Sequence, residues 1–294
     1  MNSNKSISMA QRYLNDVEVV GKLNESEDSS YENIYLIKHK NDDKLYVQKI
    51  VNDDSFLIFE LHVHDIMRDN SHFIKLYDVI HVPGCTFWTM QYVPDGDLFD
   101  LIRNSTFRID ENKTRKLLFQ LVNALNDLHA HRIIHNDVKL ENLLYNRKKH
   151  KVYICDYGLS HNIDTPSSYD GTCVYFSPEK IKRELNQVSF DWWAVGIVAY
   201  EILSGKYPYK IFTKDGGAGG SSSSMRKKLS RSSSANDVDE VEPEELLKYQ
   251  RNKLRKIRRV SAVANDFVQQ MLCFDYTKRL HSYNSIMRHP FLKI

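Results

Sequence analysis

The N-terminal third of the chain reads as strands. "DVEVVGKL" and "NIYLIKHK" flank a polar bend, and "KLYVQKI" alternates before "FWTMQYV". Leu45, Val47 and Lys49 are in phase at every second residue, which places all three on one face of a sheet. The Asn and Asp of "KNDDK" suit a tight reversal between the second and third strands. Among these strands "FLIFELHVHDIM" (Phe56–Met67) predicts a single helix.

After "VPDGD" the period lengthens. Leu117, Leu118, Leu121, Leu125 and Leu128 recur at three- and four-residue intervals, with Asp110 placed to cap the helix they predict. Further helices are predicted over Asp191–Leu203, Pro243–Arg258 and Ala262–Leu272. A strand-rich unit over residues 1–92 thus precedes a helical unit over 93–294, an α+β organisation with its junction near Gln91–Asp97. No internal repeat is visible. Residues 214–243, "KDGGAGGSSSSMRKKLSRSSSANDVDEVEP", are Gly/Ser-rich, then basic, then acidic, and cannot build a core. They predict a flexible loop, either natural or an engineered linker.

Composition narrows the class. With 294 residues, 41% hydrophobic and 27% charged, the chain is expected to be a soluble globular protein. A formal net charge of +3 is too small to argue for membrane or nucleic-acid binding, so direct nucleic-acid binding is not expected. The four cysteines (Cys85, Cys155, Cys173, Cys273) stand far apart with no metal-like spacing and read as reduced thiols. The start of the chain is polar, without the apolar core of a signal peptide. The longest apolar run, "WWAVGIVAYEIL", is interrupted by Glu201 and falls short of the roughly twenty residues a bilayer span needs. An intracellular location is the expectation.

The candidate chemistry lies in "IIHNDVKLENLLYN" (Ile133–Asn146), where Asp137, Lys139 and Asn142 sit among apolar neighbours. Buried charge is costly unless it is paired or used. Phosphoryl transfer uses such a set: triphosphate held in line, Mg²⁺ neutralising it, and a carboxylate orienting the attacking hydroxyl. "HNDVKLEN" is one residue away from the H-R-D-x-x-x-x-N pattern, and "DYG" (Asp156–Gly158) follows it closely enough to supply a second metal carboxylate. "DYG" alone carries no weight; the ordered pair does.

With these motifs the chain resembles the eukaryotic-type protein kinases over nearly its whole length. The resemblance implies a bilobal fold, a small antiparallel sheet with one helix and then a larger helical lobe, with ATP between them. It implies that Asp137 accepts the proton of the substrate hydroxyl and that Lys139 steadies the transferring phosphate. Asn142 and Asp156 would hold Mg²⁺. In the N-terminal lobe Lys49 would reach the α- and β-phosphates, with Val47 against the adenine and Ile34 on the neighbouring strand. Glu60, the one glutamate of its helix, would pair with Lys49. "MQYVPDGDLFDLI" resembles the hinge: Met90 would guard the back pocket, Gln91 and Val93 would bond the adenine through their backbones, and Asp97 would sit near the ribose.

"GTCVYFSPE" (Gly171–Glu179) resembles the substrate-positioning segment, with Thr172 bonded to Asp137 and Lys139 as in serine/threonine kinases. Glu179 would pair with Arg279 and Asp191 would cap the catalytic-loop backbone. Asp97, Glu141 and Glu201 match positions where basophilic members bind arginines before the target serine, against the alternative of capping or solvated carboxylates. "RKKLSRSSS" (Arg226–Ser234) could be autophosphorylated, could act as a tethered substrate, or could be a solvated basic loop. "KLRKIRR" (Lys253–Arg259) reads as a basic helix face, a docking surface or a nuclear address.

Two departures stand out. The glycine-rich loop is eroded: "GKLNESEDSSYENIYLI" sets Asn24, Ser26 and Glu32 at the glycine positions, which predicts a looser flap and weaker nucleotide affinity. Asn136 replaces the arginine that reads an activation-segment phosphate, so phosphorylated Thr165, Ser167 or Ser168 would find no matching cation. Activity without that phosphorylation is therefore expected. "HNDVKLEN" in a compact chain with an eroded glycine loop looks like the baculovirus serine/threonine protein kinases. That likeness implies a host-cell setting, nuclear or cytoplasmic, and an arginine-rich DNA-packaging protein as substrate. A pseudokinase scaffold remains the alternative.

Overall fold

A computed structural model of the chain describes residues 15–23, 33–40, 43–55, 57–103, 108–209 and 242–293. Asn24, Ser26 and Glu32, and nearly all of the 214–243 segment with "RKKLSRSSS", lie outside the described residues. The chain divides into two compact units, one up to Pro94 and one from Asp95.

The first unit is a five-stranded antiparallel sheet in the order β1-β2-β3-β5-β4. The strands are β1 (Val17–Lys22), β2 (Asn33–His39), β3 (Leu45–Asn52), β4 (Leu76–Val82) and β5 (Cys85–Gln91). β4 lies at the sheet edge with much of its surface exposed, so its alternation is diluted by Asp78 and His81 and is weak in the sequence. Helix α1 (Ile58–Ile66) buries Glu60, Val63 and His64. The central strand carries Lys49, whose register partners are Ile34 on β2 and Trp88 on β5.

The second unit begins with α2 (Leu98–Arg103) and is built on α3 (Glu111–Ala130) and α5 (Ser189–Ser204), which pack on one another. Asp110 caps α3 by accepting from the Lys113 amide at 2.8 Å, and the leucine stripe of α3 is buried. α5 is buried on nearly every face, as expected of a helix without a polar side. It meets α7 (Ala262–Met271) at Gly196, where an added Cβ would come within 2.8 Å of Leu272 and 3.0 Å of Met271. That approach needs glycine. Between α3 and α5 run short hairpins: β6 (Ile133–Ile134) pairs with β9 (His161–Asn162), and β7 (Leu143–Asn146) with β8 (Lys151–Ile154). α4 (Pro178–Ile181) precedes α5, and α8 (Tyr283–Arg288) lies near the end of the chain.

One predicted helix is cut short. α6 covers Pro243–Gln250 and not the expected span to Arg258. Leu254 and Ile257 are buried at helix-like spacing, but Asn265 accepts from the Ile257 amide at 2.7 Å and donates to its carbonyl at 3.1 Å. A side-chain amide thus takes the backbone groups a helix would use, and "KLRKIRR" is not a helix face. Among the described residues no helix is long and apolar enough to cross a membrane.

Candidate active site

In the first unit β3 delivers Lys49 and α1 delivers Glu60. The Lys49 ammonium lies 2.9 Å from Glu60 Oε1, with both residues buried, and 5.3 Å from the centre of the Trp88 ring. The sequence distance between them is 11 residues, short for a strand-to-helix pair, and α1 reaches it by starting at Ile58. Val47 is registered against Leu36 and Met90, and Val93 is buried. The Gln91 amide donates to Lys75 O at 2.9 Å, so its N–H is already used within the sheet unit.

In the second unit the residues of "HNDVKLEN" converge. Asp137 Oδ2 lies 2.7 Å from the Lys139 ammonium and accepts from Asn142 Nδ2 at 2.9 Å, while Oδ1 accepts from the Thr172 amide at 3.1 Å. Lys139 also donates to Thr172 Oγ1 at 2.9 Å. Burial alone would raise the Asp137 carboxyl, but the Lys139 charge and these hydrogen bonds outweigh it and hold it below the ordinary carboxylate range. Lys139 is shifted the other way: burial would lower its ammonium, but Asp137, Glu141 and Asp156 raise it. An ionised base therefore stands next to a fixed cation.

The loop is held from beneath by Asp191, which is fully buried at the start of α5. It accepts from the His135 and Asn136 amides, each at 2.9 Å, and contacts His129 Nε2 at 2.7 Å. Desolvation pushes this carboxyl up, and the His129 contact and the backbone donors pull it below its ordinary value. Asn136 adopts φ 68° immediately before Asp137, a left-handed conformation that Asn tolerates.

The β7–β8 register sets Leu143 opposite Ile154, and Cys155 N donates to Asn142 O at 3.1 Å. Asn142 and Asp156 are thereby side by side at the ends of one hairpin. The Asn142 side chain donates through Nδ2 to Asp137 O and Asp137 Oδ2, which leaves its amide oxygen available among the described residues. Asp156 is exposed, at φ 63°. One carboxylate and one amide oxygen fit Mg²⁺, which completes its shell with water and phosphate and not with an all-protein cage. Tyr157 anchors the turn, its hydroxyl donating to Ile154 O at 2.7 Å and its ring edge-on to His135.

Glu179 and Arg279 form a buried two-pronged ion pair at 2.7 and 3.0 Å, with Arg279 over the Trp193 ring. The acids expected to meet substrate arginines differ. Asp97 caps α2, accepting from the Asp100 amide at 2.8 Å. Its desolvation, with Asp100 and Glu141 nearby, pushes its carboxyl up to about 6 against the pull of the backbone donors. Glu141 is half-buried. Glu201 corrects the expectation: it is fully buried, accepts from the Tyr175 hydroxyl at 2.8 Å and pairs with Arg103 at 3.4 Å. A carboxylate so enclosed holds its neighbours and does not face a substrate.

Sequence reasoning missed Asp170 and Lys180. The Lys180 ammonium, 2% exposed, donates to Asn136 Oδ1 at 2.6 Å, to Asp170 O at 2.6 Å and to Asp170 Oδ1 at 3.1 Å. A cation does stand beside Asn136, and it is already paired. Its only sequence signal is its position directly after "SPE".

The protein kinase domain family matches residues 28–292. Serine/threonine-protein kinase 1 of Heliothis zea nuclear polyhedrosis virus is 37% identical over 265 residues, covering 90% of each chain. The protein of the same name from Lymantria dispar multicapsid nuclear polyhedrosis virus is 35% identical, covering 87% of this chain and 85% of that one. The solved structure of the Cydia pomonella granulovirus kinase PK-1 superposes with a TM-score of 0.83 at 45% identity, over 99% of this chain and 100% of that one. The chain belongs to the protein kinase family, and within it is similar to the baculovirus serine/threonine-protein kinases.

Proposed function

We propose that this protein transfers the γ-phosphate of ATP, with Mg²⁺, to serine or threonine hydroxyls of protein substrates. The observation that carries the reading is the Asp137 carboxylate, kept ionised and aimed by Lys139, Asn142 and the Thr172 amide. In this reading Asp137 takes the hydroxyl proton, Lys139 offsets charge on the transferring group, and Asn142 and Asp156 hold the metal. Lys49, fixed by Glu60, serves the α- and β-phosphates. Val47, Ile34, Met90, Gln91 and Val93 serve the adenine.

Substrates rich in Arg or Lys are the favoured class, a reading supported by the Asp97 and Glu141 carboxylates, which stand near one another. An arginine-rich DNA-packaging protein in an infected host cell, nuclear or cytoplasmic, fits that chemistry. Regulation belongs to the same reading: activity without phosphate on Thr165, Ser167 or Ser168 is supported by Asn136 in place of an arginine. Radiolabelled ATP, a protamine-like substrate and the Asp137→Asn variant test the proposal. Transfer by the wild type that the variant abolishes supports it; nucleotide binding without transfer would assign the chain to the scaffold class.

A further inference from the structure

The activation segment is tied to the catalytic loop by a node with no phosphate in it. Asp170 supplies the carboxylate. Its Oδ2 meets His161 Nε2 at 2.5 Å, and its Oδ1 accepts from Asn136 Nδ2 and from the Lys180 ammonium, each at 3.1 Å. Asn136 Nδ2 also donates to Leu159 O at 2.9 Å. His161 stands on β9, whose backbone pairs with β6 just before the catalytic loop, and Lys180 lies on α4 over the Phe176 ring. Four parts of the chain therefore meet at one carboxylate: β9, the activation segment, the catalytic loop and α4.

The node acts one residue from the chemistry on each side. Asn136 precedes Asp137. Asp170 precedes Gly171, where an added Cβ would come within 3.3 Å of both Asn136 O and Asp137 Oδ1. Next comes Thr172, whose amide and hydroxyl bind Asp137 and Lys139. A shift of Asp170 thus moves Thr172 against Asp137 directly. Hydrogen bonds from His161 and Asn136 and the Lys180 charge outweigh partial burial and hold the Asp170 carboxyl far below the ordinary carboxylate range.

We infer that Asp170 and Lys180 are positioning residues that hold the activation segment in its productive arrangement through a permanent ion pair bridged by Asn136. The inference rests on the reading that the enzyme works without activation-segment phosphate, and supplies the device that makes it possible. A phosphate delivers charge to an arginine on demand; here a carboxylate is built into the chain and its cation into the next helix. The fork of an arginine is unnecessary, because a single carboxylate oxygen, not a phosphate face, is being read.

The test uses the full chain made in cells free of protein kinases, shown by intact mass to carry no phosphate. Wild type, Asp170→Glu, Asp170→Asn, Lys180→Met and the double variant Asp170→Asn/Lys180→Met are compared for turnover of an arginine-rich peptide, ATP affinity and thermal midpoint. The double variant buries no unpaired charge, so it reports turnover in a folded protein even where a single variant fails to fold. The expected result is an active wild type. In the double variant kcat for the peptide falls on the order of a hundredfold, as for other sub-ångström to ångström misplacements, with ATP affinity within about twofold of wild type. Asp170→Glu recovers a large part of the activity. An active wild type with an equally active double variant overturns the inference alone. A phosphate-free wild type that is inactive, and is switched on by phosphorylation, overturns the phosphate-independence reading as well.

Discussion

Lys49 and Glu60 form a closed ion pair, 2.9 Å between nitrogen and oxygen, with 6% and 4% of their side chains exposed. Neither charge is tolerable there alone, and together they fix one amine on the central strand of the sheet. Glu60→Gln keeps the shape and removes the charge. The expected outcome is a kcat/KM for ATP lowered on the order of a hundredfold, with Lys49→Met at least as severe. Because the two act as a unit, the double variant should be little worse than Lys49→Met alone. Steady-state kinetics of the four proteins check this; additive losses would show that the pair is not a functional unit.

Asp97 gives a pH dependence. Its carboxyl is pushed up to about 6, so it gains a proton as pH falls from 7 through 6, above the ordinary Asp range. A contact with a ribose hydroxyl or a substrate arginine that needs the carboxylate weakens in the same window. The KM for ATP or for an arginine peptide should rise on acidification, and Asp97→Asn should flatten that part of the profile. A wild-type profile identical to that of Asp97→Asn between about pH 5.5 and 7 counts against an Asp97 contact.

Glu179–Arg279 is the stability counterpart. Arg279→Met leaves a buried carboxylate without its cation and removes the bonds Arg279 makes to Cys273 O and Phe274 O. A loss of about 3–5 kcal/mol is expected, with part of it regained in Glu179→Gln/Arg279→Met. Chemical denaturation followed by circular dichroism measures both; a single variant as stable as wild type would contradict the role.

The activation segment carries the fourth prediction. Thr165 donates to Asn162 O at 2.6 Å, and Asn186 holds Thr165 Oγ1 at 2.9 Å. None of Thr165, Ser167 and Ser168 belongs to the catalytic loop or the Asp170 node. Replacing all three with alanine should leave kcat/KM within about threefold of wild type, because the lost Thr165 bonds lie outside the catalytic loop and Asn186 keeps its bond to Pro166 O. A loss of most activity would return the enzyme to phosphate control.

How much of this is legible in the chain depends on how local the signal is. Asp137, Lys139 and Asn142 lie within one short loop whose pattern resembles the kinase catalytic loop, and Lys49, on an alternating strand ahead of that loop, gains its meaning from this order. The edge strand β4 is obscured by its exposed polar positions, and the basic run after Gln250 imitates a helix because Leu254 and Ile257 are three residues apart. His161 and Lys180 stand nine and ten residues from Asp170 and Asn136 stands thirty-four away, with no shared period to link them; a lysine after "SPE" looks like any solvated lysine until the fold buries it. Glu201 carried a usable sign. A lone acid inside "WWAVGIVAYEIL" stands on a helix with no polar face, and such an acid is buried and paired more often than it is presented to a ligand.

The most direct measurement is phosphate transfer from radiolabelled ATP to a protamine-like substrate by wild type and Asp137→Asn, with folding checked by thermal melting. The account expects label on serine or threonine with wild type, and at least about a hundredfold less with a variant that melts normally and still binds nucleotide. Equal transfer by the folded variant would show that Asp137 is not the base and would contradict the account.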